Sequence, residues 1–460
     1  MKRNSKILLV FFVSLSFYSC SLFDTLETTD PNNSGSENAV LTPQDAESVL
    51  SGAYAAMNQD GYYSRMQVIY GPILSGYMGS TNITTRNITF EAETNTVAVE
   101  NNTVANTFDD VYELANRSTN VITLVGALED RLFTDPTRKV EIIAEAHFLR
   151  GLAHFDALRF WGRFWDRSSD LGIPLRLEPG EVTNSDLPRS TVEEVYSSIM
   201  SDLDLAIAGA PDYSVSYFAS KLSARAMKAR VALYMEEYEM ANQLADQVIG
   251  STAVALEGSY DDIFTNRLNS SELIFAMFAS QIEGSGHSLF ILTPSSPFGQ
   301  GRYDYAPTQA FLDAIDGDPR ESVSINIAAE GPEVAKYPNL TIGDDPTYIM
   351  RLAEIYLIKA EALARGAGTV DQAREALNTI KNRAGTPPST ATDATQLLTE
   401  IQSEKLLELA FEGSHEWFDA IRFGNIQTIK PSVTSENFWV LPIPDIEDDP
   451  NGALDQNPGY

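Results

Sequence analysis

Four glutamates, Glu400, Glu404, Glu408 and Glu412, recur every four residues. Two carboxylates flanking a scissile bond are the machinery of glycoside hydrolysis, one as acid and one as base or nucleophile. On a helix, however, like charges four residues apart repel. The row also drifts by about 40° around the axis at each step, because four residues overshoot one turn. The expectation is that Lys and Arg from neighbouring helices pair with some of these side chains and water solvates the rest. His147 and His154 stand seven apart, roughly two turns or about 10 Å along a helix. A shared metal would need ligands from elsewhere, so hydrogen bonding in the core or between helices is expected. Asp445, Glu447, Asp448 and Asp449 resemble a calcium loop in composition only, without its ligand order or acidic twelfth position. The chain has no Gly-rich phosphate loop, no His-Glu-x-x-His and no Gly-x-Ser-x-Gly. Neither enzymatic activity nor a metal or cofactor is expected.

The lone thiol suggests different chemistry. Cys20 is the single cysteine of 460 residues. It has no disulfide partner, and a Cys/His metal cluster of the usual spacing needs more than one thiol. Lys2, Arg3 and Lys6 precede it, and Ile7 to Phe17 is apolar apart from Ser14 and Ser16. That run is too short for a permanent bilayer span and reads as a secretory signal over residues 1–19. A cysteine directly behind it, after Ser19, resembles a bacterial lipobox, although Phe17 and Tyr18 depart from the usual residues. Its thiol would take a diacylglycerol and become the mature N-terminus. The alternative is an ordinary signal with an incidental cysteine. Two or three acyl chains hold a protein at a membrane where one is marginal. Residues 20–40, rich in Asp, Asn, Ser and Thr, read as a flexible tether. A net charge of −32 argues against nucleic acid as a partner, since phosphate binding needs clustered Lys and Arg.

The body behind the tether is patterned mainly for helices. Thr42-Pro43 opens one through Met57, with Ala46, Val49, Leu50 and Ala53 at helical spacing. Residues 60–103 lose that period among Gly61, Gly71, Pro72, Gly76 and Gly79, and read as loop. The period returns over 104–128 and 136–161. Ser190-Thr-Val-Glu193 reads as a capping box. Helices are expected at 217–235 and 237–250. An irregular stretch at 255–345 follows, with "ELIFAMFAS" (272–280) as a buried strand. Tyr348 to Arg365 reads as an amphipathic helix, followed by helices at 370–384 and 394–412. The fold class is all-α dominated, with irregular insertions and minor β.

Two helix pairs share one plan. The pair at 229–249 places Ala241 and Ala245 in its second helix, and the pair at 360–385 places Ala373 and Ala376 there. Small residues at such points let antiparallel helices approach, which resembles tetratricopeptide repeats. The ordered set "AEAHFLRGLAHFDALRFWG" (144–162), "GIPL" (172–175), "PRSTVEEVYSSIMSDLDLAI" (188–207), "SKLSARAMKARVALYM" (220–235), "DPR" (318–320), "RLAEIYLIKAEALAR" (351–365), "ALNTIKNRAG" (376–385), "EKLLELAFEG" (404–413), "WFDAIRFG" (417–424), "LPIP" (441–444) and the terminal "QNPGY" resembles the SusD/RagB family of outer-membrane nutrient-binding lipoproteins. One departure is "FEGSHEWFD": the family usually has a basic residue after the Glu-Gly pair, and here Ser414 and His415 follow it. That puts one local salt bridge in doubt.

The resemblance implies a single domain over 41–460, with tetratricopeptide-like helix pairs as scaffold. It implies a lipid anchor at Cys20 in the outer membrane, facing the exterior, and a TonB-dependent β-barrel partner of the SusC kind. It implies capture of oligosaccharide for delivery to that barrel, or of peptide in some members; a free-standing protein-interaction scaffold is the other alternative. Ligand contacts would lie in the insertions at about 60–103 and 284–345, since loops on a rigid scaffold carry binding. Pyranose C–H faces lie on aromatic rings while Asp, Asn and Arg bond the hydroxyls. The candidates are therefore Tyr63, Arg65, Tyr77 and Asn82 in the first insertion, and Phe298, Arg302, Tyr303, Asp304 and Tyr305 in the second. All four tryptophans, Trp161, Trp165, Trp417 and Trp439, are expected in the core.

Overall fold

Most long helices of the computed structural model start where a side chain meets orphan backbone amides. Thr42 heads α1 (Pro43–Ala56), Asn101 heads α2 (Asn102–Ala127) and Asp135 heads α3 (Pro136–Trp161). Thr191 heads α4 (Val192–Gly209), and Ser220 heads α5 (Lys221–Tyr234), which turns tightly into α6 (Tyr238–Ile249). The series resumes with α7 (Leu352–Ala362), α8 (Val370–Ala384), α9 (Ala394–Leu409) and α10 (His415–Arg422). The structure describes residues 40–59, 61–81, 83–180, 187–279, 304–338, 345–444 and 454–460. The expected signal, Cys20, the tether up to residue 39 and the acidic run at 445–449 lie outside them. No helix of the described residues is long and apolar enough to cross a membrane.

Packing follows the chain. Helix α1 lies on α2, α2 on α3, α3 on α4, α4 on α5 and α5 on α6. The stack then bridges a long excursion, with α6 on α7, and α7 on α8 and α9. Ala241, Ala245, Ala373 and Ala376 are buried at these contacts. The result is the helix-dominated fold expected, with stacked helix pairs as its frame.

Three expectations shift. The capping box is Thr191/Glu194, one residue beyond Ser190/Glu193, because Ser190 already spends its amide on Ile173 and its carbonyl on Gly172. The helix expected from Tyr348 is a strand up to Arg351. Among the described residues the strands are β1 (Met78–Ser80), β2 (Leu273–Met277), β3 (Tyr305–Pro307), β4 (Ile325–Ala328), β5 (Gly331–Val334) and β6 (Thr347–Arg351). They pair antiparallel as β1–β3, β2–β6 and β4–β5. Strand β6 is buried along its whole length, and the β2 edge satisfies its backbone, a partner that local periodicity does not reveal. The loop expected at 60–103 contains a wide helical segment (Tyr62–Tyr70), a short helix (Gly71–Ser75) and a longer one (Ile83–Thr94).

The glutamate row is a structural device. Glu404, Glu408 and Glu412 are buried, and basic side chains from the excursion and from α8 reach them. Arg320 meets Glu404 at 2.6 Å and Glu408 at 3.1 Å; Arg351 meets Glu408 at 3.0 Å, Glu412 at 2.6 Å and Glu272 at 2.6 Å. Lys336 pairs with Glu412 at 2.7 Å, and Arg383 pairs with Glu272 at 2.8 Å and also with Glu408. Four cations thus face four glutamates and Asp318, which meets Arg320 at 2.9 Å, and the network fastens the excursion to the helix stack. Glu400 stays only half-buried. His147 bonds Asp202 on α4 at 2.7 Å, and His154 accepts the Arg176 amide at 3.1 Å, so each histidine has a bond of its own. Trp161 and Trp417 are core residues, whereas Trp165 and Trp439 are half-buried and meet edge-on at 4.9 Å.

Candidate ligand-binding site

The β1–β3 pair joins the two insertions. Met78 faces Pro307, Gly79 faces Ala306 and Ser80 faces Tyr305. The ladder is extended by Thr81 N–H to the Asp304 carbonyl (2.9 Å), Thr308 N–H to the Tyr77 carbonyl (3.0 Å) and the Thr308 hydroxyl to the Gly76 carbonyl (2.7 Å).

The candidates separate on burial. Tyr63 is a core residue: its ring lies 4.4 Å from that of Tyr62, and both hydroxyls donate to buried Asp156, at 2.7 and 2.6 Å. The glycines around it read as loop, yet the wide helical segment turns this face inward. Asp304 and Tyr305 are buried beside β1, at 3 % and 4 % exposure, so neither is the surface contact expected. Arg65 lies in the Tyr62–Tyr70 segment, and its side chain falls outside the described residues, as do Asn82, Phe298, Arg302 and Tyr303 altogether. Tyr77 is the described candidate that lines a cavity. It is half-buried, packs edge-on against Phe311 at 6.2 Å, and lines a cavity of about 230 Å³.

The rest of that cavity comes from the scaffold. Gln402 on α9 and Asn425 bond each other through both amides, at 2.9 and 2.7 Å, and form one wall. His415, Glu416 and Asp419 on α10 form another. Asp419 Oδ1 accepts from Lys405 at 2.9 Å and Arg422 at 2.7 Å. Glu416 Oε1 accepts from the Phe411 amide, and its Oε2 meets no donor among the described residues. Burial pushes the Glu416 carboxyl up to about 7. Near neutral pH this group can therefore offer either an O–H or a carboxylate oxygen. His415 goes the other way: burial and the charges of Arg230, Lys405, Arg159 and Arg351 hold it neutral, well below the ordinary histidine range. Ser414 and His415 therefore bring no cation to the place where the family pattern usually has one.

The turn before α10 is strained in a useful way. Phe411 (φ 62°) and Ser414 (φ 59°) are left-handed non-glycine residues, a conformation that persists only where the surroundings enforce it. The Ser414 hydroxyl faces the carbonyls of Gln67 (3.0 Å) and Met66 (3.2 Å), which ties the first insertion to α10.

Glu416 makes a testable contribution to stability. Its folded pKa lies above the model-peptide value of 4.5, so the fold holds a proton that the unfolded chain releases between about pH 4.5 and 7. Its cost therefore grows as pH rises through that window. Glu416→Gln is expected to unfold at higher urea than wild type at pH 7.5, with the two converging toward pH 4.5. Equal midpoints at pH 7.5 would show that Glu416 is not strained by ionisation.

Sequence reasoning missed Gln402, Glu416, Asp419 and Asn425 because they sit inside scaffold motifs. The polar density of "SHEWFD" directly after Glu412-Gly413 was the available signal.

Comparison with known proteins gives a consistent result. A family described as "Starch-binding associating with outer membrane" matches residues 26–233, and the "SusD family" matches residues 329–433. SusD-like protein P38 of Formosa agariphila is 28% identical, with 100% of each chain covered. A SusD superfamily protein of Bacteroides thetaiotaomicron superposes with a TM-score of 0.79 at 23% identity, over 91% of this chain and 100% of that one. A laminarin binding SusD-like protein superposes with a TM-score of 0.77 at 21% identity, over 92% and 100%.

Proposed function

The chain belongs to the SusD/RagB family, and from that premise we propose that it is a cell-surface binding lipoprotein. It captures oligosaccharide and delivers it to a partner TonB-dependent outer-membrane transporter of the SusC kind. Cys20 carries the lipid anchor. The family description names starch binding at the outer membrane, and one structural neighbour binds laminarin; both support a glycan ligand.

The observation that carries the reading is Tyr77 in the lining of the cavity. The ring offers an apolar face, and Gln402, Asn425, Glu416 and Asp419 line the same cavity with amide and carboxyl groups. That combination is what a pyranose needs: an apolar surface for its C–H face and a few fixed polar groups to orient its hydroxyls. The residues act by binding and positioning alone, and no bond is made or broken.

Calorimetric titration of the mature chain without Cys20 tests this. The panel is laminarin, soluble starch, xylan and galactomannan. One saturable glycan is expected, and Tyr77→Ala is expected to weaken it about tenfold. Silence across the panel would sink the glycan reading and direct the next titration to peptides.

A further inference from the structure

Three helix ends line a second cavity, of about 200 Å³. Tyr234 closes α5, Arg422 closes α10, and Arg365 lies in the wide helical turn Leu363–Ala367 that continues α7. Both arginines stand in a last turn, where the partial negative charge of the helix carbonyls favours a cation. Trp165, Tyr238 and Trp439 also line the cavity.

The ion pairs behind this cavity do not balance. Glu361 on α7 meets Arg365 at 2.8 Å, Lys405 at 3.0 Å and also Arg422. Asp419 meets Lys405 at 2.9 Å and Arg422 at 2.7 Å. Three cations therefore share two carboxylates. Lys405 and Arg422 alone would match both acids, so Arg365 is the surplus charge. Arg365 donates through Nε to Glu361, and its two Nη groups meet no acceptor among the described residues. Its guanidinium is nonetheless held in place, 4.7 Å from the Phe423 ring centre and 5.8 Å from that of Tyr238.

Two further polar groups of the lining are unspent. Trp439 Nε1 and the Tyr234 hydroxyl are buried without a hydrogen-bond partner among the described residues. An indole N–H and a guanidinium can only donate, so the lining calls for an acceptor, and the surplus charge calls for an anion. A carboxylate meets both demands, since it accepts from a guanidinium through two parallel bonds. Glu236, in the turn between α5 and α6, is the acid among the described lining residues; it is exposed and forms no ion pair among the described residues. Water therefore screens its opposition. The rings supply flat apolar walls, and the volume falls below the roughly 300–1,000 Å³ of pockets for drug-sized ligands. The occupant is accordingly small.

We infer that Arg365, with Tyr234, Trp439 and Arg422 around it, forms a binding site for a small carboxylate with a flat apolar body. The site shares no lining residue with the Tyr77 cavity, and the inference does not rest on the glycan reading.

Calorimetric titration of the mature protein at pH 7 with phenylacetate, its uncharged amide phenylacetamide, and glucuronate tests it. Phenylacetate is expected to saturate at one per chain, with phenylacetamide about tenfold weaker or more. Arg365→Gln is expected to weaken phenylacetate by about tenfold and to keep its melting temperature, because Lys405 and Arg422 still match Glu361 and Asp419. Glu236→Gln removes an opposing charge at an exposed position and is expected to tighten phenylacetate. No saturation by phenylacetate, equal affinities for phenylacetate and phenylacetamide, or a folded Arg365→Gln that binds as wild type does would each overturn the site. Saturation by glucuronate alone would make the ligand a sugar acid and overturn the flat apolar body. The comparison of acid with amide uses wild type only, so it decides even where a variant fails to fold.

Discussion

Replacing Glu408 with alanine is expected to lower the unfolding free energy by about 3–5 kcal/mol, the cost of breaking a buried ion pair from one side. Glu408 has no exposed surface and meets Arg320, Arg351 and Arg383. Its removal takes a carboxylate from three guanidinium groups that have already lost their water, leaving Arg320 with Asp318 and Glu404, Arg351 with Glu272 and Glu412, and Arg383 with Glu272. The effect is large because one buried carboxylate serves three cations at once. The measurement is a urea midpoint at pH 7, with Glu400→Ala as the half-exposed control, expected within about 0.5 kcal/mol of wild type. A Glu408→Ala loss under 1 kcal/mol would mean that the cations find other partners, and the fastening role would fail.

Glu408 also contributes to the acid limit, while burial raises Glu272 and Glu404 beside it. Burial alone would raise the Glu408 carboxyl, but the surrounding Arg and Lys charges overcome it and hold it well below the ordinary range. Glu361 behaves alike, beside Arg422, Lys405 at 3.0 Å and Arg365 at 2.8 Å. A carboxyl whose folded pKa is depressed contributes stability above its unfolded pKa of 4.5, and loses it as pH falls. Wild type is therefore expected to destabilise steeply below about pH 4, and Glu408→Ala to show a shallower acid limb.

Gly71→Ala is expected to cost about 3 kcal/mol, the upper part of the range for overpacking. A Cβ at residue 71 would lie 2.1 Å from the Ser414 hydroxyl oxygen and 2.3 Å from its Cβ. Neither can retreat easily, because Ser414 is buried and its hydroxyl faces two carbonyls of the first insertion. Ser414→Gly deletes both clashing atoms and suits the left-handed backbone there. The double variant should therefore be more stable than the sum of the single losses predicts, by about 1 kcal/mol or more. Additive losses would show that the two residues do not share one contact. Since His415 and Glu416 follow Ser414 directly, Gly71→Ala should also weaken the glycan binding proposed for the Tyr77 cavity.

The sequence by itself determined the helical frame. Period, caps and small contact residues are local properties, and they survive in the folded chain: Thr42 caps the helix it precedes, and Ala241 and Ala373 are buried in the helix stack as expected. The glutamate row was likewise legible as ion pairing, because four like charges on one helix require compensation. Tertiary structure alone decided which side of the chain faces out in the insertions. Tyr63, Asp304 and Tyr305 carry the same local signature as Tyr77, yet three are buried and one lines a cavity. A tyrosine has an apolar body and a polar tip, so either fate satisfies it once Asp156 or water takes the hydroxyl. The strand at Thr347–Arg351 depends in the same way on a partner far along the chain, β2, for its backbone. Local patterning specifies what a segment can pair with, and only the packed chain settles which partner it meets.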